Sequence, residues 1–188
     1  MRTFIAIELP IEIKNSLSKI QEKLTQTLKI SWVKPQNLHL TLKFLGDISP
    51  KQLNKIRQII TEITKTTSDF KIKLETLGIF PNAHAARIIW IGANQLPLEL
   101  KQLTERLETR LAESGIPQEQ RFFCAHITIG RIKSHFIPSD LKKAFDKVEN
   151  DVTGANWEFD CKEITLFEST LGPDGPTYIA LERLNFLK

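Results

Sequence analysis

Apolar residues recur at steps of three and four along four stretches of this chain. Ile13, Leu17, Ile20, Leu24 and Leu28 form one stripe, and Leu53, Ile56, Ile60 and Ile63 a second. Leu100, Leu103, Leu107 and Leu111 form a third, and Leu141, Phe145 and Val148 a shorter fourth. Each stripe is the buried face of an amphipathic helix. Boundary signals agree. Ser49-Pro50 supplies a cap residue and a proline for the first helical position. Gly115 and Pro117 close the third helix, and Pro138-Ser139-Asp140 opens the fourth. Between the stripes lie runs with strand character: 3–9, 38–45, 70–77, 87–92, 122–132, 157–167 and 178–186. In the first run Ile5, Ile7 and Leu9 fall on one face. Leu171-Gly172-Pro173-Asp174-Gly175-Pro176 is turn chemistry between the last two runs.

The order of these elements repeats. A strand precedes a helix near Ile11, a second strand follows with His39, and another helix opens at Pro50. A strand precedes a helix near Pro97, a second strand follows with His126, and another helix opens at Pro138. The spacing is nearly constant. Two units are too few for a solenoid. The expected architecture is a pseudo-symmetric pair of lobes in a single unit spanning 1–188. No linker or composition break divides it.

The two later strands carry the candidate chemistry. Leu38-His39-Leu40-Thr41-Leu42 and Ala125-His126-Ile127-Thr128-Ile129 both read His–aliphatic–Thr–aliphatic. Threonine is common here, so one such pair would mean little. Two, at matching places in a repeat, point to a site. On a strand, residues i and i+2 share a face. His39 therefore projects with Thr41, and His126 with Thr128, while the aliphatics pack behind. If the lobes meet about a pseudo-two-fold axis, the pairs face each other across a cleft. Imidazole titrates near neutrality, so one histidine can accept a proton while the other donates one. The hydroxyls between them can hydrogen-bond anionic oxygens. That layout suits phosphoryl chemistry without a metal.

Other readings of these residues are weaker. Either pair alone would read as a core histidine satisfied by a neighbour. Two histidines and two threonines make a poor metal shell, since zinc takes His, Cys or carboxylate and magnesium takes anionic oxygens. Asp47 lies beyond the strand, in a Gly-Asp turn. Cys124 shares the parity of His126 and reads as a small, half-buried residue rather than a nucleophile. His84 and His135 lack the motif and read as loop residues.

Composition adds bounds. With 188 residues, 41% hydrophobic and 26% charged, the chain is an ordinary globular protein. No apolar run approaches a membrane span, and no membrane partner is expected. Glu8 and Pro10 interrupt the apolar start, so no secretory signal is expected. Two cysteines without a signal read as reduced thiols in a cytoplasmic protein. The net charge of +4 is modest but uneven. Residues 1–94 hold 14 Lys+Arg against 7 Asp+Glu, and residues 95–188 hold 12 against 15. A basic half suggests a phosphate-bearing partner. Lys43 shares the parity of His39, so positive potential is expected to gather at the cleft mouth.

These motifs resemble the 2H phosphoesterase superfamily. Trp32-Val33-Lys34-Pro35 leading to His39-Leu40-Thr41-Leu42-Lys43-Phe44-Leu45-Gly46 is similar to its RNA 2′,3′-cyclic phosphodiesterases, historically called 2′-5′ RNA ligases. So are Gly78-Ile79-Phe80-Pro81-Asn82 with Arg87 and Trp90, His126-Ile127-Thr128-Ile129-Gly130-Arg131, and the closing Leu171-Gly172-Pro173 with Gly175-Pro176-Thr177-Tyr178. The resemblance covers essentially the whole chain. It implies a bilobal α+β fold, each lobe an antiparallel sheet backed by helices, with the active site in the cleft between. It implies hydrolysis of a terminal 2′,3′-cyclic phosphate to a 2′-phosphomonoester, and a reversible 2′-5′ ligation, with no metal or other cofactor. It places catalysis on His39 and His126 and phosphate binding on Thr41 and Thr128. Phe44 and Arg131, each five residues after its histidine, match positions that contact nucleotide and phosphate. Strict alternation turns both to the opposite face, unless a bulge near the strand end re-aims them. The expected partner is RNA ending in a cyclic phosphate, or a cyclic nucleotide, and the expected state is a monomer. Rival readings are a non-catalytic module that binds RNA ends, or another 2H cyclic-nucleotide phosphodiesterase.

Overall fold

A computed structural model describes residues 1–133, 137–173 and 175–187. The strands are β1 Arg2–Glu8, β2 Ser31–Trp32, β3 His39–Asp47, β4 Phe70–Leu74, β5 Thr76–Phe80, β6 Ile88–Gly92, β7 His126–Arg131, β8 Trp157–Cys161, β9 Glu163–Gly172 and β10 Gly175–Asn185. The helices are α1 Ile11–Thr25, α2 Pro50–Thr64, α3 Leu98–Ala112 and α4 Pro138–Thr153. All four carry the expected apolar stripes inward. Ser49 caps α2 in a reciprocal capping box with Gln52. At the end of α3 the Ile116 N–H donates to Leu111 O and the Gly115 N–H to Ala112 O, with Gly115 at φ +86°. That left-handed turn closes the helix as the Gly115–Pro117 signal predicts.

Two four-stranded antiparallel sheets form, with orders β10-β9-β1-β3 and β2-β7-β6-β5. The repeat is real but interleaved. The first unit contributes β1 and β3 to one sheet and sends β5 to pair with β6 in the other. The second unit contributes β6 and β7 and sends β9 to pair with β1. The equivalent strands β4 and β8 pair with each other. The runs 70–77 and 157–167, each read as one strand, are therefore each broken in two. Each half serves a different sheet, and periodicity alone carries no sign of the exchange. The helices follow the same logic. α2 and α3 pack together against the β3-containing sheet, and α1 and α4 against the β7-containing sheet. One continuous apolar core links both lobes.

The run 122–132 is strand only over His126–Arg131, and β2 is a short strand the pattern missed. Leu28 is buried but lies beyond the end of α1. His135 lies outside the described residues. Among the described residues, no helix is long and apolar enough to cross a membrane.

Candidate active site

β3 and β7 approach each other at the junction of the two sheets. Each begins with a motif histidine. Leu40 and Ile127 are fully buried in the core, so alternation turns His39, Thr41, His126 and Thr128 to the opposite, cleft-facing side.

Both strands then depart from alternation at the same place. Thr41 pairs with Ala6 but Lys43 pairs with Ile5, which leaves Leu42 as an extra residue. Thr128 pairs with Trp90 but Gly130 pairs with Ile89, which leaves Ile129 as an extra residue. Each is a β-bulge, and each switches the parity of the residues beyond it. Phe44, opposite Phe4, and Arg131, opposite Ile88, thereby return to the cleft face. Phe44 is 66% exposed, with its ring centroid 6.1 Å from that of Phe4. Core packing is thus excluded for Phe44.

The same bulge overturns the expectation for Lys43. It is 5% exposed and turned into the protein. Its ammonium donates to Glu108 Oε2 on α3 at 2.6 Å and to Pro117 O at 2.7 Å. Several other cations of the basic half pair with carboxylates on outer faces. Lys23 meets Asp151, Arg57 meets Glu182, and Lys71 meets Glu158. The cleft charge comes instead from Arg131, with Lys14 and Arg2 nearby. Arg131 lies close enough to His39, His126 and Tyr178 to depress the proton affinity of all three groups.

The histidines are held alike. His39 Nδ1 meets Asn37 O at 2.7 Å, and His126 Nδ1 meets Cys124 O at 2.9 Å. A carbonyl only accepts, so Nδ1 carries the proton in each ring. Each Nε2 is then the basic nitrogen. The Thr41 hydroxyl stands 3.0 Å from His39 Nε2, where it donates to the neutral ring. Burial lowers the pKa of His39, the hydrogen bond to Asn37 opposes this, and the charges of Arg131, Lys14 and His126 add to the lowering. Burial also lowers His126, against its bond to Cys124, and Arg131 adds to it. Both imidazoles therefore give up a proton more readily than a free histidine.

Aromatic walls flank them. Phe4 and Tyr178 pack on His39 with centroids at 4.9 and 5.1 Å. Phe80 and Trp90 pack on His126 at 5.1 and 6.2 Å. Gly78 lies under the Trp90 indole, where a Cβ would overlap the ring. Tyr178 is not among the predicted site residues. It is the only tyrosine of the chain, and burial raises its phenol pKa against the pull of Arg131 and Arg2. Its Gly-Pro-Thr-Tyr context is the signal that marks it. Glu8 is a second residue that sequence reasoning misses. It sits directly opposite His39 on β1, and a lone carboxylate ending a strand carries no signal.

Cys124 is half-buried, with burial raising its thiol pKa, and its carbonyl rather than its sulfur serves the site. His84 stays in an exposed turn capped by Asn82. Among the described residues, no three His, Cys, Asp or Glu side chains gather as a metal shell.

An architecture of two interleaved lobes with paired His–x–Thr strands defines a phosphoesterase class, and the chain belongs to it. The model of the LigT like phosphoesterase family matches the sequence twice in succession, over residues 7–90 and 91–178, so each repeat unit matches it separately. A relative from Methanocaldococcus jannaschii named RNA 2′,3′-cyclic phosphodiesterase is 38% identical over 178 residues, covering 95% of this chain and 96% of the relative. One of the same name from Aquifex aeolicus is 32% identical, covering 97% and 95%. The crystal structure of Escherichia coli LigT complexed with 3′-AMP superposes with a TM-score of 0.81 at 29% identity, over 100% of this chain and 98% of that one.

Proposed function

We propose that this protein is an RNA 2′,3′-cyclic phosphodiesterase that opens a terminal 2′,3′-cyclic phosphate to a 2′-phosphomonoester. The observation that carries the reading is the matched pair of imidazoles. Each is fixed through Nδ1 to a backbone carbonyl, so that Nε2 is the basic atom, with Arg131 within electrostatic reach of both. The names of its relatives agree with it.

In the proposed reaction a cyclic phosphate lies between the two Nε2 atoms. Thr41, Thr128 and Arg131 hydrogen-bond its non-bridging oxygens. Neutral His126 takes a proton from water as the water oxygen attacks phosphorus. The bond from phosphorus to the 3′ oxygen breaks in line. Protonated His39 gives its proton to that oxygen. One P–O bond forms, one breaks, and the 2′-phosphate remains. A 5′-hydroxyl in place of water gives a 2′-5′ phosphodiester, and the reverse reaction returns the cyclic end. Phe44 lies exposed on the same face, placed to stack on the base of an adjoining nucleotide.

The test is hydrolysis of a cyclic-phosphate-ended oligonucleotide, with the product identified by phosphorus NMR. A 2′-phosphate is expected, and a 3′-phosphate overturns the mechanism. Tight binding without product would favour a non-catalytic RNA-end module.

A further inference from the structure

Beside His39, on the β1–β9–β10 side and away from β7, the cleft deepens into a cavity of about 150 Å³. Glu8, Lys14, Gln36, Phe167, Tyr178 and Arg183 line it. Its volume is well below the several hundred Å³ of a pocket for a whole ligand, so it suits one ring system. The cavity adjoins the histidine assigned to protonate the 3′ oxygen. The ribose that carries that oxygen, still bonded to phosphorus through its 2′ oxygen, must lie on this side of the phosphate.

The polar groups in it are aimed rather than scattered. Glu8 Oε1 accepts from Thr165 Oγ1 at 2.9 Å and from Arg183 Nε at 2.8 Å. Burial alone would raise the Glu8 pKa, but the bonds from Arg183 and Thr165 and the charges of Arg183 and Lys14 hold it below the usual carboxylate range. The carboxylate is therefore fixed and ionised, with Oε2 left for a ligand. The Arg183 terminal nitrogens remain as donors beside it. The Arg183 charge is already paired with that carboxylate, and the Phe167 and Tyr178 rings in the lining leave room for a flat base.

We propose that this cavity is a nucleobase subsite for the terminal nucleotide, selecting bases that present an exocyclic amino group. Glu8 accepts from the amino group, and Arg183 and Gln36 meet the flanking ring acceptors. Cytosine and adenine carry that pattern, and uracil places a carbonyl against the carboxylate instead. The proposal rests on the cyclic-phosphodiesterase reading only for which nucleotide end enters.

Two pyrimidines of equal size test it. kcat/KM is measured for cytidine and uridine 2′,3′-cyclic phosphates, and Kd by calorimetry for the corresponding 2′-monophosphates. The wild-type chain is expected to favour cytidine about tenfold in both. Glu8→Gln, which keeps the shape and the bonds from Thr165 and Arg183, brings both ratios to one or below. Gln36→Ala, on an exposed turn, weakens binding of the cytidine ligand several-fold and acts on KM more than on kcat. Equal handling of the two ligands by the wild-type chain, or a ratio untouched in Glu8→Gln, overturns the proposal. If neither cyclic nucleotide is turned over, the phosphodiesterase reading fails, and the monophosphate affinities alone decide the subsite.

Discussion

The bulge that aims Arg131 depends on a residue far from it in sequence, and that dependence can be measured. Gln21 on α1 is 6% exposed. Its amide nitrogen donates to Ile129 O and to Val33 O, both at 2.8 Å. Ile129 is the extra residue of the β7 bulge. Its carbonyl also takes the Val33 N–H at 3.0 Å. Gln21→Leu keeps the side-chain size and removes both donors. Ile129 O keeps one partner, while the Val33 carbonyl loses the side chain that satisfies it. A lost bond costs about 1 kcal/mol, and a buried carbonyl without a partner roughly 1–3 kcal/mol. The sum, less a small gain from burying leucine, is about 2–3 kcal/mol. For a chain of this size that lowers Tm by roughly 5–10 °C. Scanning calorimetry reads the loss. Kinetics on a cyclic nucleotide reads its consequence, because a relaxed bulge turns Arg131 away from the phosphate and raises KM. A Tm within about 2 °C of wild type, with KM unchanged, would show that the bulge stands without Gln21 and refute the reasoning.

Four further outcomes are expected. Single His39→Gln and His126→Gln variants should keep the fold and lose roughly 10²–10⁴-fold in kcat, which circular dichroism and initial rates check together. Both histidine pKa values lie below the ordinary 6.5, so the bell of kcat/KM should peak on the acid side of pH 6.5, and a peak above pH 7 would contradict the assignment. The same lowering sets a stability trend. Unfolded imidazoles hold protons near pH 6.5 that the folded ones refuse, so stability is full above that pH and falls as pH drops towards the lowered values. The double glutamine variant should flatten the trend in Tm. Lys43→Met leaves Glu108 without its cation and Pro117 O without its donor. That should cost about 2–3 kcal/mol in chemical denaturation, since the pair is buried on one side only.

The helices, the repeat and both His–x–Thr pairs are legible because each is a matter of local spacing. Stripes at three and four, a cap before Pro50 and a side-chain period of two need no knowledge of the partner strand. The features that stay hidden are set by pairing. Leu42-Lys43-Phe44 alternates on paper as smoothly as any strand, and only its register against β1 shows that Leu42 is extra. Alternation alone therefore puts Lys43 in the cleft and turns Phe44 away from it, the reverse of what the fold does. Breaks at Glu75 and Lys162 are equally silent, because each splits a run whose two halves both look like good strand. The ordinary signals of a break, glycine and proline, are missing there.

The hidden devices obey the repeat as closely as the visible ones. Gln21 and Glu108 lie 87 residues apart, as do His39 and His126. Each reaches the opposite unit's bulged strand. Gln21 holds the bulge carbonyl of β7 directly, and Glu108 holds Lys43, the residue after the bulge of β3. The segment before each histidine crosses as well. Val33 bonds to Ile129, and Pro117 to Lys43. One scaffold is thus used twice, and the differences fall where it ends. At the re-aimed position it presents a phenyl ring in one unit and a guanidinium in the other. At the residue after the bulge it presents a lysine stem in one and Gly130 in the other, where a Cβ would press on Ile30 and Trp32. A cyclic nucleotide is itself unsymmetrical, an anion on one side and a flat base on the other. On the proposed mechanism, symmetry supplies two equivalent imidazoles for a reaction that needs an acid and a base. In that same reading, the departures from it, Arg131 against Phe44 and the Glu8 cavity beside His39 alone, are what give the substrate a single direction in which to lie.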